Sequence, residues 1–218
     1  MKTKFRKELS LALCFLAGFL LWTVLVRTVD VEAIGPGETT VGLTTLNGAF
    51  HRLTGVHLSL YNLTDLLGLV PLGLVAGFAL VGLVQWIRRK RLRRVDPGIL
   101  ALGGCYGLVL GAYVFFEIVV VNFRPLLIDG RLEASYPSST TMLVMTVLPT
   151  AIMELRPRIR RRSLRRCITA ALALFAAFMV LGRLLSGVHW LSDIIGGALL
   201  STALVLKYRA FAFGRNAQ

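Results

Sequence analysis

Residues Leu67–Arg94 read LGLVPLGLVAGFALVGLVQWIRRKRLRR. The first 21 of them, through Ile87, carry no charge, and six of the next seven are Lys or Arg. A helix needs roughly 20 apolar residues to cross about 30 Å of hydrocarbon. Backbone N–H and C=O groups in lipid must be satisfied internally, so such a run reads as a helix and not as a strand. Comparable runs occur at about Leu11–Val26, Ile99–Val121, Ser138–Leu155, Ile168–Leu185 and Trp190–Tyr208. The fourth of the six in chain order, Ser138–Leu155, is short and carries Pro149. The expectation is an all-α integral membrane protein. A single domain over residues 1–218 forms a six-transmembrane-helix bundle in a bacterial-type cell membrane. A hydrophobic share of 56% and a mean hydropathy of +0.71 place the chain in the same class.

A formal net charge of +14 would otherwise point to a nucleic-acid partner. Its distribution says otherwise. Four basic residues precede the first run, six follow the second, seven follow the fourth and three end the chain. Those clusters hold 20 of the 25 Lys and Arg, all on alternate connections, and the two largest have no interleaved aromatics. The positive-inside rule makes that side cytoplasmic, with both termini there, and no nucleic-acid partner is expected. The first run lacks a small-x-small cleavage site and reads as a retained anchor. Cys14, Cys105 and Cys167 are odd in number and scattered, so neither a disulfide framework nor a metal site is expected, and they read as packing residues. No cofactor is implied.

The longest outer connection, Arg27 to about Asp65, opens on acidic residues around Gly35-Pro36-Gly37. Val41, Leu43, Leu46, Phe50 and Leu53 then recur at helical spacing, as an interfacial helix or a lid over a site would. The other outer connections carry the chemistry. Asn122-Phe123-Arg124-Pro125 ends the third run, and Pro125 holds the arginine at the helix mouth. Tyr136-Pro137-Ser138-Ser139-Thr140-Thr141 opens the fourth, with Ser138 as a natural N-cap. Free N–H groups and the dipole at such a helix start favour phosphate. Arg183, Ser186, Gly187, His189 and Asp193 straddle the junction of the last two runs. If a helix starts near His189, Asp193 falls at i+4 on its face and can hold one imidazole nitrogen, leaving the other nucleophilic. Singly, each piece has an ordinary use as an anchor, a cap or a polar pair. Together they supply what phosphoryl transfer through a phosphohistidine needs, with the arginines binding non-bridging oxygens.

The spacing resembles the type-2 phosphatidic acid phosphatase superfamily, the lipid phosphate phosphatases. That family shows Lys-x6-Arg-Pro, then Pro-Ser-Gly-His, then Ser-Arg-x5-His-x3-Asp. Arg124-Pro125, Pro137-Ser138 and Arg183…His189…Asp193 match, and Gly196-Gly197 are typical of the last motif. The resemblance implies His189 as nucleophile, Asp193 as its orienter, and Arg124, Ser138, Ser139 and Arg183 as phosphate ligands. It also implies a lipid phosphate or diphosphate as substrate, among membrane lipids. Three positions depart from the pattern. Glu117 stands for lysine, Ser139-Thr140 for Gly-His, and Gly182 for serine. The missing histidine is the family's proton donor, and losing a general acid costs about 10²–10⁴ in rate. Phosphate is a far better leaving group than an alkoxide, so a polyprenyl-type diphosphate suits this depleted site best. Thr140 and Glu117 are the residues at the altered positions, as possible acid or supporting groups. Glu117 is also placed at i–7 to pair with Arg124. His51, His57, Asp129 and Glu133 are loop groups that could supply the acid instead. The competing expectation is a catalytically weak or inactive protein that binds or transports lipid phosphates on the same bundle.

Overall fold

The computed structural model describes residues 2–213, with side chains from Phe5 onward. Eight α-helices follow one another: α1 (Lys2–Thr28), α2 (Thr44–Thr54), α3 (Leu58–Leu67), α4 (Leu69–Arg89), α5 (Pro97–Ile118), α6 (Ser139–Leu155), α7 (Arg162–Leu185) and α8 (Leu191–Phe213). Among the described residues there is no strand, only isolated bridges such as Glu32–Val41. Gly68 keeps helical angles (φ −58°, ψ −20°), so α3 and α4 run on as one apolar stretch, Leu58–Arg89. That stretch starts nine residues earlier than its uncharged core, because Tyr61, Asn62, Thr64 and Asp65 are tolerated in its first turns.

Five helical stretches are long and apolar enough to cross a membrane: Phe5–Thr28, Leu58–Arg89, Pro97–Ile118, Arg162–Leu185 and Leu191–Phe213. The sixth expected span is α6, a shorter apolar helix of 17 residues with Pro149 inside it. The polarity is inverted relative to a water-soluble domain. Leu21, Leu80, Leu110 and Leu174 stand exposed on the circumference, while Thr146, Thr150, Ser201 and Asp193 are wholly buried. The chain is a multi-pass integral membrane protein. Cys105 packs in the core, whereas Cys14 and Cys167 face outward, so only one of the three is a packing residue.

α6 is the axis of the bundle, with α4, α5, α7 and α8 packed around it, and α1 lies along α8. Glycine lets α8 close on the start of α6 near the site. A Cβ on Gly196 would lie 2.7 Å from the Tyr136 ring, and one on Gly197 would lie 3.1 Å from the Ser138 carbonyl oxygen. At the opposite, arginine-rich end, buried Glu154 receives Tyr208 Oη and Arg158 Nη1, and Arg158 Nη2 reaches Asp96 Oδ2 at 2.8 Å. These bonds clamp the start of α5 to the ends of α6 and α8.

The connection between α1 and α3 forms the amphipathic α2 that its spacing predicts. α2 lies over the turn between α7 and α8: His51 Nε2 donates to the Gly187 carbonyl at 3.1 Å, and its ring packs 5.5 Å from that of Trp190.

Candidate anion site at the α6 and α8 helix starts

α8 begins at Leu191, two residues after His189, so His189 sits in the turn and not on the helix. Asp193 closes the helix start in the manner of an acid three residues past the cap. Its Oδ2 accepts the Trp190 backbone N–H at 2.9 Å. His189 Nδ1 stands 3.7 Å from the same oxygen, close enough for charge to be felt but too long for a hydrogen bond. Oδ1 faces Asn122 Nδ2 and Ser192 Oγ, each at 3.4 Å. Asn47 fixes Ser192 from α2, with Nδ2 donating to Ser192 Oγ and Oδ1 accepting from Ser192 N, both at 3.0 Å. Gly187 supplies the turn: its φ is +70°, and a Cβ there would meet the Gly55 carbonyl and the Val56 backbone.

Burial first, then the positive charges of Arg124 and Arg183, push the His189 imidazolium down to about 4 from the usual 6.5, against the pull of Asp193. The imidazole is therefore neutral near pH 7, the form a nucleophile needs. Neither ring nitrogen has a hydrogen-bond partner.

Two arginines converge on one aromatic ring. Arg183 Cζ lies 4.8 Å and Arg124 Cζ 5.7 Å from the centre of Tyr61 on α3. Arg183 is 2% exposed. Its Nη2 donates to Asp65 Oδ1 and to Thr140 Oγ1, each at 2.7 Å, while Nε and Nη1 are buried without partners. Arg124 Nε stands 3.0 Å from Glu133 Oε2 but is not aligned to donate, and its Nη1 is also buried without a partner. A buried donor left unpaired costs about 1–3 kcal/mol, more when charged. Several together mark a place shaped for an anion.

The start of α6 faces the same site. Ser138 is fully buried, and its Oγ caps the helix by accepting from Thr141 N at 3.4 Å and Thr141 Oγ1 at 3.0 Å. Its backbone N–H donates to the Asp193 carbonyl at 3.1 Å, which ties the two helix starts together. The N–H groups of Ser139 and Thr140 have no intrahelical acceptor. A small cavity lined by Ser139, Glu117, Tyr136 and His189 runs beside them. Glu117 itself makes no ion pair with either arginine. α5 ends at Ile118, so the helical i, i+7 relation to Arg124 does not exist, and the arginines take Glu133 and Asp65 instead.

Of the loop acids that the sequence offered, only Glu133 reaches an arginine. His57 Nε2 donates to the Thr54 carbonyl, His51 to Gly187, and Asp129 occupies the tight turn at Ile128–Arg131. Tyr61 and Asp65 were missed. Their signal is an aromatic and a carboxylate at i, i+4 in the polar first turns of an apolar stretch.

A helical membrane protein with two arginines, a neutral histidine and open helix-start amides around one point can take up a phosphate group. Residues 116–216 match the sequence model of the PAP2 superfamily. No curated protein sequence matches it. The fold is similar to the crystal structure of a transmembrane PAP2-type phosphatidylglycerolphosphate phosphatase from Bacillus subtilis. The TM-score is 0.62 at 17% identity, over 95% of this chain and 97% of that one.

Proposed function

We propose that this protein is a membrane lipid phosphatase acting on lipid phosphates and, ahead of these, on lipid diphosphates of the polyprenyl type. The observation that carries the proposal is the group of buried, unpartnered N–H donors on Arg124 and Arg183 beside the unpaired imidazole of His189. A phosphate placed between the arginines and the Ser139–Thr140 amides satisfies those donors. Neutral His189 then attacks phosphorus, and Asp193 stabilises the positive charge that the imidazole gains. Water hydrolyses the phosphohistidine. Thr140 cannot donate a proton near neutral pH, so a leaving group that needs none, a phosphate, is favoured.

The membrane arrangement belongs to the same proposal. α6, at about 1.5 Å per residue, spans nearly the hydrocarbon thickness and makes the sixth crossing. The arginine-rich connections and both termini then lie in the cytoplasm, and the site opens at the extracytoplasmic face of a bacterial plasma membrane.

Phosphate release from a panel of lipid monophosphates and diphosphates by purified protein tests the proposal, with His189→Ala as the control and acid-quench trapping for the phosphohistidine. Thr140 in the donor position favours one alternative, a protein that holds lipid phosphates without turning them over. Binding without release in that assay would establish it.

A further inference from the structure

Two departures from the family pattern, Gly182 and Thr140, meet at one face of α3. Gly182 stands where the family has serine, and a Cβ there would lie 2.6 Å from Thr64 Cγ2. α3 thus packs on α7 in space that a side chain at 182 would take. The next residue, Asp65, is carried onto Arg183, where its Oδ1 accepts from Nη2. The same Nη2 donates to Thr140 Oγ1. The carboxyl therefore stands within two hydrogen-bond lengths of the position where the family's histidine donor is replaced. Asp65 is 62% exposed at the side chain while Arg183 is 3%, so the carboxylate lies at the mouth of the site and is free to be displaced.

A cavity of about 1100 Å³ between α4, α5 and α6 begins at this point. Asp65, Ser139 and Thr140 line its polar end; apolar side chains, from Leu72 to Leu102 and Trp86, line the rest. Asp65 is the only charged residue on its wall among those described. Ser139 also lines the smaller cavity that His189 reaches. A lipid whose chain fills the apolar part has its phosphorus near Ser139, with His189 on one side and Asp65 toward the chain. Attack and departure in phosphoryl transfer lie on opposite sides of phosphorus.

We propose that Asp65 is the proton donor to the leaving oxygen of lipid monoesters, replacing the histidine that Thr140 has displaced. The inference rests on the phosphatase reading above. An anion that takes the place of Asp65 on Arg183 releases the carboxyl from the guanidinium and leaves it beside the leaving oxygen, where it can pass on a proton. His189 gives its free lone pair to phosphorus, the P–O bond to the lipid breaks, and the leaving oxygen takes the Asp65 proton. The products are a lipid alcohol, phosphohistidine and an ionised Asp65. Water then attacks the phosphohistidine, its proton returns to Asp65, and phosphate leaves neutral His189. Diphosphates remain the faster substrates because they need no such proton.

The test compares three leaving groups in purified protein: a long-chain alkyl phosphate, 4-nitrophenyl phosphate and a prenyl diphosphate. Asp65→Asn preserves size and lowers turnover of the alkyl ester about 10²–10⁴-fold, while the other two fall by less than about tenfold. Asp65→Glu recovers part of the alkyl ester rate. Gly182→Ser, which pushes Thr64 aside and Asp65 with it, gives the same selective loss independently. Equal losses on all three substrates would show that Asp65 only holds Arg183 in place and would overturn the inference while leaving the phosphatase reading intact. Absence of turnover by the wild-type protein on all three would sink both.

Discussion

The backbone N–H of Ser138 donates to the carbonyl oxygen of Asp193 at 3.1 Å, so two motifs far apart in sequence share one bond. The contact is possible because α8 presents Gly196 and Gly197 to the start of α6. The free amides of α6 and the carboxylate beside His189 are thereby set by one backbone contact between helices.

Gly196→Ala should disrupt both. The added methyl would collide with the Tyr136 ring, which also accepts packing from Phe19 and Phe116 and bonds Thr23 through its hydroxyl. Overpacking of a closed core typically costs about 1–3 kcal/mol. Thermal unfolding in detergent should shift down, with activity falling in parallel. An unchanged midpoint would mean that α8 can slide away from Tyr136 freely.

Asp193→Asn separates the two jobs of that carboxylate. Asparagine can still accept from Trp190 N and keep the helix start, but it cannot stabilise a charged imidazole. Loss of the carboxylate beside a catalytic imidazole can cost about 10⁴ in kcat. Turnover should fall by a similar order with little change in KM or in unfolding temperature. A fall in stability without the loss in kcat would assign Asp193 to helix capping alone.

The pH dependence follows from His189. Its imidazole is depressed to about 4, so it stays neutral as the pH drops from 7 through the usual histidine range. After correction for ionisation of the substrate, kcat/KM should hold down to about pH 5. A limb near 6.5 would show the ring to be better solvated than its burial implies. The same depression removes stability as pH falls from 6.5 toward 4, because the unfolded chain accepts the proton first.

Topology is checked by labelling. With Cys14, Cys105 and Cys167 replaced, Arg91→Cys and Leu127→Cys place single thiols on the two sides of the bundle. An impermeant thiol reagent added to intact cells should modify the second and spare the first. The reverse pattern would turn the site toward the cytoplasm.

Much of this was legible in the sequence because it is local. Charge-free runs, the arginine clusters and the spacing from Arg183 to Asp193 all lie in short windows. The convergence of α3 on the site was not legible. Tyr61 and Asp65 reach Arg183 over more than a hundred residues, through packing that depends on the missing side chain of Gly182. Helical spacing also misled twice for the same reason, that a helix ended or began elsewhere. α5 stops at Ile118, before Arg124 can share a face with Glu117. α8 starts after His189, so Asp193 serves first as a cap.

Thr140→His restores the residue type of the family's proton donor at the position where Arg183 and Asp65 already meet. An imidazole can donate a proton near neutral pH, where a hydroxyl can offer only a hydrogen bond. Departure of an alkoxide from a monoester depends on that proton, whereas departure of phosphate from a diphosphate hardly does. The substitution should therefore raise monoester turnover more than diphosphate turnover, by up to about 10² if the new ring reaches the leaving oxygen. The gain is limited because Glu117 and Gly182 still differ from the family pattern and Asp65 already serves as a proton donor. His189→Ala in the same background should abolish both activities. Parallel changes on the two substrates would mean that residue 140 acts on phosphate binding through Arg183, and efficient monoester cleavage by the unaltered protein would mean that its own acid is already sufficient.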